Sequence, residues 1–371
     1  MRLTLPQGEL AGATQWVARQ LPNQPLNPVL MAMRLTAEAG RLALSGFDGA
    51  TATRVTIDAD VDTPGTAHVS ARLVADVAAA FGKTDITLDD SSGELVATTA
   101  RGQVTLPVLD GGDAPTPPVG PDPSGAVDGD ALAAAYKRIK TAVDPKAQGT
   151  FAGMAGVRFL ADGGCLQLAA TDRYRVAQAW LPWDEAPHGE VMAVVPDKTL
   201  ANNIGAFAEA SVRMALPSDG HGTARISNSR HQVVASLLDP NTYPHRVDEV
   251  VPTEFVGTAS FEAAEAAEAL KQVTVVTEPG KPVWLRLADG TATLRARDHG
   301  AATASFACEW SGDVGEFEAA WNGRYLGDGI SSFLGAVHMQ VTTPARPAVL
   351  VDPEDDSYRY TVIPIRDPKG A

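Results

Sequence analysis

The sequence predicts an α+β fold in which one unit of helices and antiparallel strands occurs three times. Alternating apolar residues lead into the segment Ala170–Ala177 and out of it again, which is the pattern of two strands joined by a polar corner. Similar corners occur at Phe47–Gly49 and Arg297–Gly300, and their aspartates lie 124 and 126 residues from Asp172. A chain of 371 residues is longer than one ordinary domain, and a repeat of about 125 residues accounts for its length.

Two helices are expected in each copy. Residues 70–81, 196–207 and 322–333 place apolar side chains at positions i, i+4 and i+7, which form one face of a helix. Each segment begins with a polar or turn-forming residue suited to a helix start. A further amphipathic helix precedes the strands of each copy, at Gln7–Gln20, Asp130–Val143 and Ser260–Thr274.

Basic residues recur on the helix faces that point away from the core. Arg72, Lys198 and Arg324 share one position in the three copies, about 200° around the helix from the first core residue. Any one of them alone is most simply a solvated surface cation, but three at one position favour a common role. The other set of helices carries Arg19, Lys137, Arg138 and Lys271 on its outer faces, the last accompanied by Glu262, Glu265 and Glu268.

Short alternating segments between the helices predict strands, and Asp-Gly and Gly-Gly pairs between them predict turns. Two stretches rich in Gly, Pro and Asp, Gly111–Ser124 and Asp239–Pro252, each follow a strand and precede a helix. Both are expected to be linkers. The predicted units are therefore residues 1–120, 126–246 and 252–371.

Composition restricts the class of protein. Hydrophobic residues make up 44% of the chain, and no apolar run approaches the roughly 20 residues that cross a membrane. The first residues lack the long apolar stretch of a signal peptide. Cys165 and Cys308 lie in strand-like segments and are expected to be small buried side chains rather than a disulfide or metal pair. We therefore expect a soluble cytoplasmic protein with no membrane partner.

The sequence offers no active site. It contains no G-x-x-x-x-G-K-[ST], G-x-G-x-x-G or H-E-x-x-H motif, and none of its seven histidines has metal-ligand spacing with a cysteine or second histidine. His299 is not expected to pair with Asp298, because adjacent residues on a strand face opposite sides. Asp172 is expected to cap its own turn. No catalytic residue, cofactor or metal is predicted.

Four motifs in this order resemble the bacterial sliding clamp family, the β subunit of DNA polymerase III. The segment Ala170–Ala177 (ATDRYRVA) is close to the family's A-T-D-x-x-R-[LF]-A, and its T-D-R-Y-R is similar to actinobacterial clamps. Val194–Leu200 and the Tyr243-Pro244 pair also match the family. The ending Tyr360–Arg366 is close to Y-x-[IV]-M-P-[MV]-R, so the resemblance covers essentially the whole chain.

This resemblance implies the DNA clamp fold, with three α+β units in each chain and two helices packed on antiparallel sheets in each unit. Two chains would close head to tail into a homodimeric ring that holds double-stranded DNA topologically, whatever its sequence. Replicative polymerase, clamp loader and repair proteins would dock short linear peptides in a pocket between the second and third units. Such a ring needs little direct attraction for DNA, which is compatible with a net charge of −15 that argues against general nucleic-acid affinity. It would act in the cytoplasm at the nucleoid and would not be an enzyme.

The resemblance, together with the helix faces, assigns three sets of residues. The DNA-facing set is Arg19, Gln24, Arg72, Lys137, Arg138, Lys198, Lys271 and Arg324. The dimer-contact set is Leu106 and Val108 on one side and Val275 and Val276 on the other. The peptide-binding set is Met154, Thr171, Arg173, Arg175, Val176, Pro244, Val250, Asn322, Tyr325, Val362, Ile363, Pro364, Ile365 and Arg366.

Several positions depart from the family's pattern. Gln24 stands where a basic residue is usual, Ile363 replaces the usual methionine, and the chain runs five residues past Arg366. A phage-encoded or second, resistance-type copy is therefore an alternative to a housekeeping clamp. Two further alternatives are a monomeric clamp-fold protein that only binds other proteins, and an enzyme built on the repeated scaffold.

Overall fold

The computed structural model describes residues 1–22, 28–112, 117–118, 120–185, 191–244, 246–288 and 290–365. Strands and helices follow one another in nearly the same order in the three repeats, with four described strands rather than five between the two helices of the third. The first repeat consists of β1 (Arg2–Pro6), α1 (Gln7–Gln20), β2 (Ala32–Glu38), β3 (Arg41–Phe47), β4 (Thr51–Asp58), β5 (Asp60–Thr63), β6 (Gly65–Ser70), α2 (Ala71–Ala80), β7 (Asp85–Asp89), β8 (Glu94–Thr99) and β9 (Gly102–Pro107).

The other two repeats differ from the first in the length of single elements, and in the third the long β22 is followed directly by β23, without a short strand like β5. The second consists of β10 (Gly125–Asp128), α3 (Gly129–Ile139), β11 (Gly156–Asp162), β12 (Cys165–Thr171), β13 (Arg175–Pro182), β14 (Asp184–Glu185), β15 (Val191–Pro196), α4 (Asp197–Asn203), β16 (Ser211–Ala215), β17 (Thr223–Ser227) and β18 (His231–Ser236). The third consists of β19 (Gly257–Glu262), α5 (Ala263–Thr274), β20 (Pro282–Ala288), β21 (Gly290–Arg297), β22 (Ala301–Gly312), β23 (Glu316–Asn322), α6 (Gly323–Ile330), β24 (Ala336–Val341), β25 (Ala348–Val351) and β26 (Tyr358–Val362).

Two compact units are formed by these elements. The first contains residues 1–133, 161–164 and 182–238. It holds a five-stranded sheet in the order β5-β1-β7-β8-β9 and a nine-stranded sheet in the order β14-β10-β16-β17-β18-β4-β3-β2-β6. Helix α1 packs against α2 and against β3 and β4, so the apolar helix faces predicted from the sequence cover the sheets.

The second compact unit contains residues 134–160, 165–181 and 239–371. Its strands run in the order β11-β12-β13-β26-β25-β24-β19-β22-β21-β20-β23. Helix α5 packs on β21 and β22, and α6 packs on β23 and β26 and against α5. Trp321, Tyr358 and Tyr360 are among its largest fully buried side chains.

The periodicity located the helices well, and it failed mainly at their ends. The span of α1 coincides with its prediction, and Leu10, Ala13 and Val17 are buried as expected. Helix α5 begins at Ala263 rather than Ser260, because the preceding three residues pair in β19. Helix α4 is short, and a 3₁₀ helix, Ile204–Phe207, continues its apolar face.

Neighbouring repeats are joined by strand pairing that follows one rule. Strand β18 ends the second repeat and pairs antiparallel with β4, the third strand after α1. Strand β26 ends the third repeat and pairs antiparallel with β13, the third strand after α3. Applied to β9, the last strand of the first repeat, the same rule would give a partner strand that corresponds to β4 and β13. In the third repeat that strand is β22, the third strand after α5. Among the described strands, β9 pairs only with β8, and the stretch Ala301–Ala307 of β22 pairs only with β21.

Within the described ranges, no helix combines the length and the apolar character that a membrane crossing requires.

Candidate functional site

The corner between β12 and β13 is a tight turn stabilised by its own side chains. One carboxylate oxygen of Asp172 accepts hydrogen bonds from the backbone N–H groups of Tyr174 and Arg175, at 3.0 and 3.2 Å. The Thr171 hydroxyl donates to the Arg175 carbonyl at 2.7 Å and accepts from the Arg173 N–H at 3.2 Å. Arg173 has a φ of +77°, a left-handed conformation that residues other than glycine rarely adopt. Asp172 therefore caps its own turn, as predicted.

Arg175 forms a buried ionic cluster behind this turn, and its side chain is only 3% exposed. Its Nε donates to Asp172 at 2.9 Å, and its Nη1 donates to Asp328 and, at 3.3 Å, to the Tyr360 hydroxyl. The guanidinium carbon lies 4.4 Å from the centroid of the Tyr325 ring. Burial lowers the pKa of Arg175, but the Tyr360 hydroxyl and the two carboxylates outweigh it and raise that pKa above the ordinary value. Arg175 was predicted to bind peptide, and that role stays a prediction: in the structure its charge is neutralised behind the turn by Asp172 and Asp328.

Close contact between α6 and β26 brings the partners of Arg175 together. A Cβ added at Gly329 would lie 2.4 Å from the Tyr360 ring, so only glycine permits this approach. The approach places Asp328, one residue earlier in α6, within reach of the Arg175 guanidinium. The Tyr360 hydroxyl also donates to the Tyr325 carbonyl at 2.8 Å, which ties β26 to the first turn of the same helix.

The C-terminal segment 362–365 passes directly beside the turn. The N–H of Ile363 donates to the Tyr174 carbonyl at 2.9 Å. The N–H of Ile365 donates to the carbonyl of Ala320 in β23 at 2.8 Å. The structure therefore brings the segment 362–365, the β12–β13 corner and β23 to one place in the second compact unit.

The predicted peptide-binding residues divide by exposure into a floor and a rim. The buried members are Met154, Thr171, Arg175, Val176, Val362 and Pro364. The half-buried members are Pro244, Asn322, Tyr325, Ile363 and Ile365, and the exposed members are Arg173 and Val250. Arg366 lies outside the described residues. The half-buried and exposed members are the ones whose side chains can contact another molecule.

Two aromatic residues at this rim were not predicted from the sequence. Tyr174 is 51% exposed and Phe151 is 43% exposed. The Tyr174 ring stacks on that of Tyr325, with centroids 6.0 Å apart. Tyr174 lies inside the ATDRYRVA motif between two predicted residues, so that motif was a usable signal for it. Phe151 lies in a 3₁₀ helix before β11, and no local pattern indicated it.

The linker before the third repeat is held in place by one carboxylate. Asp248 accepts hydrogen bonds from Arg158 in β11 at 2.9 Å, Gln167 in β12 at 3.3 Å and Gln178 in β13 at 2.5 Å. Partial burial raises the pKa of Asp248, but the Arg158 charge and these hydrogen bonds bring it below its usual value. The carboxylate therefore fixes the linker that carries Val250 across three adjacent strands.

Most of the predicted DNA-facing side chains are exposed. These are Arg19, Arg72, Lys137, Lys198, Lys271 and Arg324. Lys198 lies 4.0 Å from a carboxylate oxygen of Asp48, and Arg324 lies 3.8 Å from one of Asp328. A cleft of about 780 Å³ between α5 and α6 is lined by Lys271 and Arg324 among others. Gln24 lies outside the described residues.

Arg138 departs from its predicted outward position. Its guanidinium carbon lies 3.8 Å from the centroid of the Tyr358 ring and 5.4 Å from that of Phe333. A carboxylate oxygen of Asp355 lies 3.7 Å from its Nη1. Burial lowers the pKa of Arg138, opposed by the nearby Tyr358 and Asp355. We correct its assignment: Arg138 covers the core of the second compact unit and is only partly available to a ligand.

The predicted dimer-contact residues lie next to the two open strand edges. Leu106 in β9 is 1% exposed, so its side chain is covered within its own chain, and the predicted contact could involve only its backbone. Val108 is exposed just beyond β9, as is Leu73 in the neighbouring α2, which the sequence reasoning missed. Val275 follows α5 and is 80% exposed. Val276 is half-buried, and its carbonyl accepts from the N–H of His299 beside the start of β22.

The expectation for His299 rested on a strand that is not there. Residues 298–300 form a bend between β21 and β22, so adjacent side chains need not diverge. His299 Nε2 lies 3.1 Å from a carboxylate oxygen of Glu278 and 4.0 Å from one of Asp298. Asp298 also accepts a hydrogen bond from the Glu278 N–H at 3.0 Å. The prediction that the side chains of Asp298 and His299 point to opposite faces of a strand is therefore wrong.

Comparison with known proteins assigns the family. Models of the DNA polymerase III beta subunit match residues 1–118 (N-terminal domain), 126–245 (central domain) and 248–366 (C-terminal domain). The chain is 32% identical to the beta sliding clamp of Streptomyces coelicolor and 30% identical to the beta sliding clamp homolog GriR of Streptomyces muensis, each match covering 99% of both chains. The sliding clamp of Pseudomonas aeruginosa bound to griselimycin has a similar structure, with a TM-score of 0.91 at 22% identity over 99% of this chain and 100% of that one.

The chain belongs to the DNA polymerase III beta subunit family. The family and the α+β clamp fold that the repeat and the four motifs predicted are thereby confirmed.

Proposed function

We propose that the protein is a sliding clamp, a processivity factor that encircles duplex DNA as a homodimer and tethers the replicative polymerase. The observation that carries this proposal is the strand-pairing rule between repeats. The rule is satisfied twice, by β18 with β4 and by β26 with β13. Among the described strands, β9 and the Ala301–Ala307 edge of β22 have no corresponding partner. Strand β9 of one chain pairs with β22 of a second chain, and the reverse pair closes the ring.

This closure is head to tail, because the two edges belong to different repeats. Backbone hydrogen bonds between the edges supply the pairing, and exposed apolar side chains beside them supply the buried surface. Val108 and Leu73 stand beside β9, and Val275 stands beside β22. Membership of the beta subunit family supports the same assembly.

The exposed cations of the helices face the DNA in this proposal. Arg72, Lys198 and Arg324 occupy one position in three repeats, and all three side chains are exposed. Phosphate contacts from such cations are individually weak, sensitive to salt and independent of sequence. A ring retains DNA by its closed topology, so a chain of net charge −15 needs only this local basic surface.

Charge reversal at these three positions tests the DNA-facing assignment. Replacing Arg72, Lys198 and Arg324 together by glutamate is expected to shorten retention on circular DNA and to lower polymerase processivity. Binding to a linear duplex, measured by fluorescence anisotropy at low salt, is expected to lose roughly three units of slope against the logarithm of salt concentration.

The matched control changes the net charge equally at exposed arginines of strands and strand loops. It replaces Arg54, Arg213 and Arg346 by glutamate, one in each repeat. This control is expected to load and slide as the unmodified protein does. Equal loss in both triple variants would show that total charge matters rather than the helix faces, and unchanged retention in the first variant would refute the assignment.

The rim around the β12–β13 corner binds the partner proteins in this proposal. Half-buried Ile363, Ile365 and Tyr325 offer apolar surface, exposed Val250 extends it, and Arg173 adds a cation. This composition suits an extended peptide with leucine and phenylalanine anchors and a polar or acidic group. Polymerase, clamp loader and repair proteins would use such peptides in turn.

Truncation after Val362 tests the pocket. Removal of residues 363–371 deletes the two backbone hydrogen bonds to Tyr174 and Ala320 together with the apolar rim. A labelled peptide of the Gln-Leu-x-Leu-Phe type is expected to bind at least about tenfold more weakly, roughly 1.4 kcal/mol. Light scattering and a melting curve check that the truncated protein remains a folded dimer. Unchanged peptide affinity in that dimer would place the pocket elsewhere.

The remaining proposals concern the domain boundaries, the cellular location and the absence of a catalytic role. We assign three clamp units to residues 1–120, 126–246 and 252–371, and we place the protein in the cytoplasm at the nucleoid. We assign no catalytic reaction to it, because its role requires only encirclement and docking. If it were a monomeric protein-binding module, the two strand edges would remain open, so the dimer measurement in the Discussion separates the two proposals.

A further inference from the structure

The Arg173 side chain is presented outward from a constrained backbone. Its φ of +77° is fixed by the hydrogen bonds of Thr171 and Asp172 within the turn. A glycine would adopt this conformation without cost, whereas a residue with a Cβ is rare there. The arginine side chain is exposed, so burial does not account for its presence at this position.

Two exposed aromatic rings hold the Arg173 guanidinium. Its central carbon lies 5.2 Å from the centroid of the Phe151 ring and 5.9 Å from that of Tyr174. Both distances allow cation–π attraction, which restricts the movement of the guanidinium. The Tyr174 ring is itself stacked on Tyr325, so this cation is connected to the pocket rim.

No carboxylate neutralises this cation in the described part of the chain. No Asp or Glu oxygen there lies within 4.0 Å of an Arg173 nitrogen, and the neighbouring Asp172 is engaged by Arg175 instead. A guanidinium has five N–H donors arranged to match a carboxylate or phosphate. Both neighbouring rings are uncharged, so no ion pair within the described part of the chain competes for those donors.

We propose that Arg173 is a specificity-determining residue that binds a carboxylate of the docked peptide, and so selects partners with an acidic residue beside their apolar anchors. This inference rests on the proposed peptide pocket. The rim residues Ile363 and Ile365 are apolar, and Ile363 is bonded through its N–H to the Tyr174 carbonyl, which favours a peptide over a nucleic acid as the bearer of the negative charge. The Phe151 and Tyr174 rings could also stack on bases of single-stranded DNA, and the test separates that possibility.

A double-mutant cycle between protein and peptide tests the proposal. The protein variant is Arg173→Gly, which removes the charge and suits the backbone conformation, so it is expected to fold at least as stably. The probes are labelled Gln-Leu-x-Leu-Phe peptides with a single aspartate, either at x or directly after phenylalanine. Each is compared with its asparagine twin, which has the same shape and no charge.

The expected result is a charge-specific loss. Arg173→Gly is expected to weaken one aspartate peptide about fivefold while changing its asparagine twin less than twofold, and added salt is expected to reduce this difference. Equal weakening of both twins at both positions, or no weakening, would overturn the proposal. If the unmodified dimer bound none of the peptides, the pocket itself would be refuted together with this inference.

A single-stranded oligonucleotide of mixed sequence completes the test. If Arg173→Gly lowered binding of the oligonucleotide and left every peptide unchanged, the cation would serve nucleic acid and the proposal would be wrong. The control Arg101→Gly removes an exposed cation from the turn between β8 and β9. It is expected to leave the affinities of all probes unchanged.

Discussion

Replacing Arg175 by alanine is expected to destabilise the second compact unit by about 3–5 kcal/mol, because it leaves two carboxylates without their buried counter-charge. Asp172 and Asp328 both contact this guanidinium, and the Tyr360 hydroxyl donates its own proton elsewhere and accepts from it. The midpoint of thermal unfolding, followed by calorimetry, is expected to fall by roughly 6–20 °C, at about 2–4 °C per kcal/mol for a unit of this size.

The neighbouring arginine provides the control for this experiment. Arg173 belongs to the same turn, but it is exposed and forms no ion pair with the described acidic residues. Arg173→Gly is therefore expected to unfold at or above the temperature of the unmodified protein. If Arg175→Ala unfolded at that same temperature, the buried ionic cluster would not contribute to stability.

Replacing Val275 by arginine is expected to convert the dimer into monomers. Val275 is 80% exposed in the single chain, so the substitution leaves the folded chain intact. In the proposed ring it lies at the seam between β22 and the partner's β9, where burial of an unpaired charge is costly. We expect the dissociation constant to rise at least a hundredfold, about 2.7 kcal/mol.

Leu334 offers a matched control in the same unit. It is a fully exposed leucine next to Gly335, whose carbonyl accepts from Ala263 at the start of α5. Val275 follows the other end of that helix, so the two positions lie roughly 18 Å apart along its axis. Light scattering is expected to give 38.7 kDa for Val275→Arg and twice that mass for Leu334→Arg. Two dimers of equal stability would refute the position of the seam, and a monomeric unmodified protein would refute the ring.

Local patterns in the sequence were sufficient to predict the elements and the repeat. Helix α1 was located residue for residue, and the capping role of Asp172 followed from turn chemistry alone. Both depend on interactions between residues only a few positions apart. The C-terminal motif was placed beside the corner only through the resemblance, since no local rule links Tyr174 to Ile363.

Features that depend on distant residues were beyond the sequence pattern. Arg175 looks like a surface cation in a polar turn, and its burial depends on Asp328, which is 153 residues away. Leu106 lies on the buried face of its sheet, opposite Leu95 in β8. Alternation of apolar residues along β9 does not show which face of the strand is buried within the chain. Asp248 lies in an apparent linker, and only the fold brings it to Arg158, Gln167 and Gln178.

The two open strand edges have a consequence for how many chains assemble. If β9 of one chain pairs with β22 of the next, as proposed, each added chain presents the same free edge again, so this head-to-tail pairing does not by itself limit the number of chains. The number of chains in a closed ring is therefore set by the angle between the β9 edge and the β22 edge of one chain. The joints β4–β18 and β13–β26 lie within the chain and contribute to that angle. A substitution that altered the twist at either joint could leave every seam contact intact and still yield larger rings or open filaments.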